Sequence, residues 1–114
     1  MQRDPRIFLQ DVLDAADSIK TFLDGVDETI FIKNDMVQSA AYYQFSIIGE
    51  ALNNFSKIKP EQATSIGGLR NAVSFRNLLT HAYHKVSPDL VFRYAQESLP
   101  TLIIDIKRLI ANEP

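Results

Sequence analysis

The stretch MVQSAAYYQFSIIGEALNNF, residues 36–55, decides the fold. Met36, Ala40, Tyr43, Ile47, Ala51 and Phe55 recur at three- and four-residue steps, the repeat of one helix face. Val37, Ala41, Ile48 and Leu52 widen that stripe beyond what a single neighbour covers. The spacing predicts a long helix buried on two sides, and therefore the central helix of the domain. No alternating strand of useful length, internal repeat or low-complexity tract competes with that reading anywhere in the chain.

Upstream, Asp4-Pro5 is a helix start, since Asp4 can accept from free amides and proline is tolerated in the first turn. Phe8, Val12, Ala16, Ile19 and Leu23 carry a helix over about 5–24, Gly25 stops it, and a short acidic connection follows. Downstream, KIKPEQATSIGG (57–68) breaks the pattern with Pro60 and a glycine pair, and a third helix runs over 67–84. Ser87-Pro88-Asp89 opens a fourth, with Val91, Tyr94, Leu99, Leu102, Ile106 and Leu109 on one face. Pro100 removes a backbone donor within it, so a kink dividing it in two is expected. The sum is an all-α, compact up-and-down bundle of four to five helices with a kinked last helix, forming one domain over 1–114.

Composition narrows the chemistry. The 114 residues are 46% hydrophobic and 23% charged, as in one globular domain with a modest core. Cysteine is absent, which excludes disulfides, thiolate metal sites and cysteine nucleophiles and fits a reducing compartment. Asp11 arrives too early for a signal-peptide apolar region and no apolar run is long enough to cross a bilayer, so the cytoplasm is the default and no membrane partner is expected. The net charge of −2 argues against a general nucleic-acid coat. Its distribution is uneven: residues 1–35 are strongly acidic, whereas 67–94 set Arg70, Arg76, Lys85 and Arg93 against Asp89 alone. A solvated acidic helix face and a polyanion-binding site both fit that asymmetry.

The basic segment contains RNLLTHAYH (76–84), which holds both histidines of the chain. On a helix running through 84, Arg76, Asn77, Thr80, His81, Tyr83 and His84 share an arc of about 160°, opposite Phe75, Leu78, Leu79 and Ala82. The apolar arc suffices to dock the helix and leaves the polar arc free to act. An imidazole exchanges protons near neutral pH, and a guanidinium holds phosphate oxygens through two parallel donors. His81 could take the proton of a ribose 2′-hydroxyl or give one to a leaving 5′-oxygen, Arg76 could neutralise charge on the phosphorane, and Asn77 could fix the imidazole or donate to phosphate. Thr80, His84, Lys85 and Arg70 are candidate substrate-binding residues and Glu50 a candidate support. One helix offers a single good proton carrier, and a second copy would supply the other. Each residue also has a plainer reading: His81 as a histidine at a helix C-terminus, Arg76 as the ion-pair partner of Glu50, Tyr83 as a half-buried aromatic. A metal site at His81 and His84 lacks a nearby carboxylate or thiolate, so neither metal nor cofactor is expected.

R-x-x-x-x-H-x-Y, from Arg76 through His81 to Tyr83, resembles the signature of the HEPN superfamily, in its HepT-like toxin branch. FSIIGEAL (45–52) resembles the IGEA stretch of that family's central helix, KVSPDLVF (85–92) its turn after the motif, and LPTLIIDI (99–106) its closing helix. The resemblance implies a helical domain whose dimer faces two motif helices across a metal-independent RNase site. It implies catalytic roles for Arg76, Asn77 and His81, and modification of Tyr83 by AMP transfer from a nucleotidyltransferase antitoxin of the MntA type. The alternative is a non-catalytic nucleotide-binding or adaptor subunit of a nucleotidyltransferase complex, and a third reading is a purely structural helical dimer. Two departures stand out: the chain has no Trp, with Leu69 near the place where the family often has one, and Ser74 replaces a common glycine. A second RN pair, Arg70-Asn71, is followed five residues after Arg70 by Phe75, so the histidine sets the register at Arg76.

Overall fold

A computed structural model describes residues 3–112. The first helix, α1 (Pro5–Phe22), begins where Asp4 accepts from the Arg6 amide at 3.0 Å. The Arg6 side chain also bonds that carboxyl and holds it down at about 2. The helix buries Phe8, Leu9, Val12, Ala15, Ala16 and Ile19, and the chain then turns at Gly25, whose φ of 74° favours a residue without Cβ.

The segment expected as an acidic connection contains a helix, α2 (Glu28–Lys33). Asp27 caps it by accepting from the Ile30 amide at 2.8 Å, and Phe31 is fully buried as its anchor. One turn with one anchor gives too short a period to be seen against its polar neighbours. The Gln38 amide closes this helix by donating to the carbonyls of Phe31 and Ile32, at 2.8 and 2.9 Å.

The central helix, α3 (Asp35–Ile58), lies between α1 and α5 (Leu69–His81), as its two-sided pattern requires. Its buried face is Ala41, Phe45, Ile48, Gly49, Ala51, Leu52 and Phe55. The proposed stripe is corrected at its N-terminal end: Met36 is 82% exposed and Tyr43 66%. The apolar pattern is wider than the face the other helices cover, and these two residues fall on the uncovered edge.

A short helix, α4 (Pro60–Ala63), lies within the segment expected to be a break. Helix α5 ends at His81, three residues earlier than expected, and Tyr83–Lys85 form a 3₁₀ turn. Pro88 holds Ser87 extended, at φ −88° and ψ 124°, so α5 and α6 cannot run on as one helix. Leu78, assigned to the docking arc, is 40% exposed beside α6 (Pro88–Glu97). The Ser87 hydroxyl donates to Asp89, lowering that carboxyl below its usual range in the first turn of α6.

The last stretch divides as the proline demands, into α6 and α7 (Leu99–Ala111), with Ser98 between them. Seven α-helices are therefore described instead of four or five, the difference being α2, α4 and this division. Phe45, Phe75 and Tyr94 meet at centroid distances of 5.2 to 5.4 Å, tying α3, α5 and α6 together directly beneath the motif helix.

Candidate active site

Helices α3 and α5 cross at Gly49. A Cβ built there would stand 2.2 Å from the Arg76 Cβ and 2.8 Å from the Ala72 carbonyl oxygen, so the crossing closes only because position 49 has no side chain. Arg76 is thereby laid along α3. Its Nη2 meets Glu50 Oε2 at 2.8 Å, and its Nη1 donates to Asn77 Oδ1 at 3.1 Å. The arginine side chain is 30% exposed and the glutamate 50%, so the pair contributes at most about 1 kcal/mol to stability. Its effect is to fix where the guanidinium sits.

Arg76 and Thr80 open onto a groove of about 320 Å³ that Tyr43, Glu50 and Asn54 of α3 also line. Arg3 and Asp11, from the start of the chain, complete it and pair with each other at 3.3 Å. Neither was singled out in the sequence. Their pairing spans two turns around the start of α1 and leaves no local signature. Arg3 also rests over the Phe8 ring, 5.0 Å from its centroid.

His81 is exposed at the last position of α5. His81 lies five positions after Arg76, so the two leave the helix axis about 140° apart. One protomer therefore does not gather them into the same groove. Asn77 is exposed between the two directions and in contact with Arg76.

The candidate substrate residues divide among three surfaces. Thr80 shares the groove of Arg76. Arg70 lines a second groove, between α5, α3 and α4, while Lys85 lines a third, between α5 and α6. His84 is exposed in the 3₁₀ turn, as is Lys85. The continuous helix behind the assigned polar arc ends before Tyr83 and His84, and the side chain of Tyr83 lies outside the described residues. Among the described residues no three acidic or histidine side chains gather as a metal site, and no helix is long and apolar enough to cross a membrane.

The all-helical chain matches a known family over most of its length. The profile described as Ribonuclease HepT-like covers residues 12–109, and the chain belongs to that family of HEPN-type ribonucleases. A protein of Methanocaldococcus jannaschii, a candidate RNase by name, is 29% identical over 101 residues, covering 89% of this chain and 92% of its own. A protein of Thermococcus cleftensis, named a probable ribonuclease HepT, is 27% identical over 106 residues, with coverages of 90% and 92%. A third, a candidate RNase from Caldanaerobacter subterraneus subsp. tengcongensis, is 23% identical over 109 residues, with 96% of each chain covered. No solved structure matches the chain.

Proposed function

We propose that this chain is a cytoplasmic, metal-independent endoribonuclease toxin that cuts RNA with Arg76 and His81 in a cleft completed by a second copy. Membership of a ribonuclease family sets the reaction class. The observation that carries the residue assignment is the placement of Arg76. The Gly49 crossing, Glu50 and Asn77 hold its guanidinium at a groove edge, and His81 stands exposed at the end of the same helix.

The chemistry follows from those groups. The His81 imidazole takes the proton of a ribose 2′-hydroxyl, and the freed oxygen attacks the adjacent phosphorus. The bond from phosphorus to the 5′-oxygen breaks, leaving a 2′,3′-cyclic phosphate. His81 of the partner subunit, in its protonated form, gives the 5′-oxygen its proton. Arg76 stabilises the extra negative charge on the phosphorane, and Asn77 keeps the guanidinium fork turned toward it. A second copy accounts for the missing proton carrier, and the exposed apolar edge of Met36 and Tyr43 gives α3 surface to cover.

Control belongs to Tyr83, two residues beyond His81. The Tyr83 hydroxyl oxygen attacks the α-phosphorus of ATP held by a nucleotidyltransferase antitoxin, pyrophosphate leaves and the hydroxyl gives up its proton, so that a phosphate and an adenine at the end of the catalytic helix compete with RNA. The other reading is a nucleotide-binding adaptor of such a transferase, in which the partly exposed Arg76 and the exposed His81 grip a nucleotide. It requires nucleotide affinity without cleavage.

The deciding experiment incubates purified protein with RNA in excess chelator, comparing wild type with His81→Ala and Arg76→Ala. Cleavage that resists chelator and is lost in both variants is the expected result. Cleavage indifferent to both substitutions overturns the site.

A further inference from the structure

The groove between α5, α3 and α4 has no part in that chemistry, yet at about 590 Å³ it is roomier than the Arg76 groove of about 320 Å³. Arg70 stands at it, and among the described residues no carboxylate pairs with its guanidinium. No carboxylate lines the groove either, in contrast to the Arg76 groove, where Asp11 and Glu50 offset Arg3 and Arg76. Its polar lining includes Asn53, Ser56, Thr64 and Ser74, over an apolar floor that includes Ile66 and Val73. The hydroxyl protons of Ser56 and Thr64 are spent on the carbonyls of Asn53 and Glu61, at 2.8 and 2.6 Å, so each oxygen retains acceptor capacity. The Asn53 amide can both donate and accept.

The groove is aligned with His81. Arg70, Ser74, Asn77 and His81 follow one another at intervals of four, three and four residues, within an arc of about 60° on α5. All four are exposed. This stripe leads from the groove to the catalytic histidine over about 16 Å, a distance that a few nucleotides of single strand cross.

We infer that this groove is a remote RNA subsite, in which Arg70 holds a backbone phosphate and Asn53 meets the edge of a base lying on the apolar floor, a few nucleotides from the bond that His81 attacks. The inference rests on the ribonuclease reading and adds a determinant of substrate length to it. The carboxylate near the groove, Asp105, accepts from the Gly67 amide at 3.2 Å and pairs with Arg108 at 3.8 Å. A cation at a groove that no carboxylate lines attracts phosphate, and an amide hydrogen-bonds the edge of an unstacked base.

The test uses a fluorescent, 2′-O-methylated RNA of about twelve nucleotides, which cannot be cleaved because the attacking hydroxyl is blocked, and follows its binding across a salt series. Arg70→Ala is expected to weaken binding about tenfold and to lower the salt slope by about 0.7, the share of one phosphate contact on a single strand. Arg70→Lys should retain most of the affinity, and competition by a dinucleotide should be unaltered. An Arg70→Ala protein that binds the long RNA as wild type does, with the same salt slope, while wild type still cleaves RNA, overturns the subsite alone. Wild type that neither binds nor cleaves RNA overturns the ribonuclease reading with it.

Discussion

Gly49 of α3 and Arg76 of α5 pack so closely that a Cβ on the glycine would lie 2.2 Å from the arginine Cβ. Neither neighbour at this point is a flexible side-chain end: one is a Cβ and the other, the Ala72 oxygen at 2.8 Å, is backbone. Gly49→Ala must therefore force the two helices apart. The expected cost is about 1–3 kcal/mol by urea unfolding, the usual range for overpacking. RNA cleavage under conditions where the variant remains folded should fall further than stability alone explains, because Arg76 moves with α5. Gly67→Ala is the contrast, since its new Cβ would meet only Asp105 Oδ2, at 3.7 Å. It should leave stability nearly unchanged.

The Arg76–Glu50 pair makes a different prediction because it is half exposed. Glu50→Ala should change the unfolding free energy by less than about 1 kcal/mol. Its larger effect should be on cleavage, through loss of the acceptor that aims the guanidinium. Glu50→Gln keeps an oxygen at that place and should recover much of the rate. A drop in stability that matches the drop in rate, with no recovery by glutamine, would mean that Glu50 is structural only.

The central helix was legible in the sequence because its apolar repeat runs through residues 36–55, most of the 24-residue helix, and Pro100 marked the division of the last helix because a missing donor acts locally. Helix α2 was not, because one buried phenylalanine in a six-residue helix produces no period. The end of α5 was misplaced for a related reason. Nothing in the residue types of 82–84 breaks a helix, and the one clear stop, the extended residue before Pro88, lies further on at Ser87. The motif residues were visible as types and spacing, whereas the way they are held was not. That Gly49 is a contact for Arg76, and that Arg3 and Asp11 reach the same groove, depends on how α1, α3 and α5 cross, which no local pattern encodes.

Tyr94 packs its ring against Phe45 and Phe75 at 5.4 and 5.2 Å, and burial raises its phenol above the ordinary value of 10.0. The folded state thus resists ionisation that the unfolded chain accepts. Its contribution is fully present below about pH 10 and is lost as pH rises through the folded value. Tyr42, raised by the same cause, acts in the same direction. Urea midpoints for wild type should therefore fall between neutral pH and about pH 11, while Tyr94→Phe should show a shallower fall over the same range. Equal alkaline slopes for the two proteins would mean that the hydroxyl is solvated in the folded state.

The 140° or so between the directions of Arg76 and His81 on one helix makes the number of copies a measurable part of the mechanism. If one His81 takes the proton and its counterpart in the second copy delivers another, a dimer with one His81→Ala subunit lacks either the base or the acid. Mixing wild type with His81→Ala and allowing subunits to exchange should then reduce activity as the square of the wild-type fraction. At equal amounts the total should fall to about a quarter of that of undiluted wild type, and to about half if each copy works alone. His81 is exposed at a helix end, so the alanine variant should assemble as wild type does, which sedimentation of the mixture can verify. A linear dependence on wild-type fraction in a mixture shown to exchange would place acid and base within one protomer and remove the composite site.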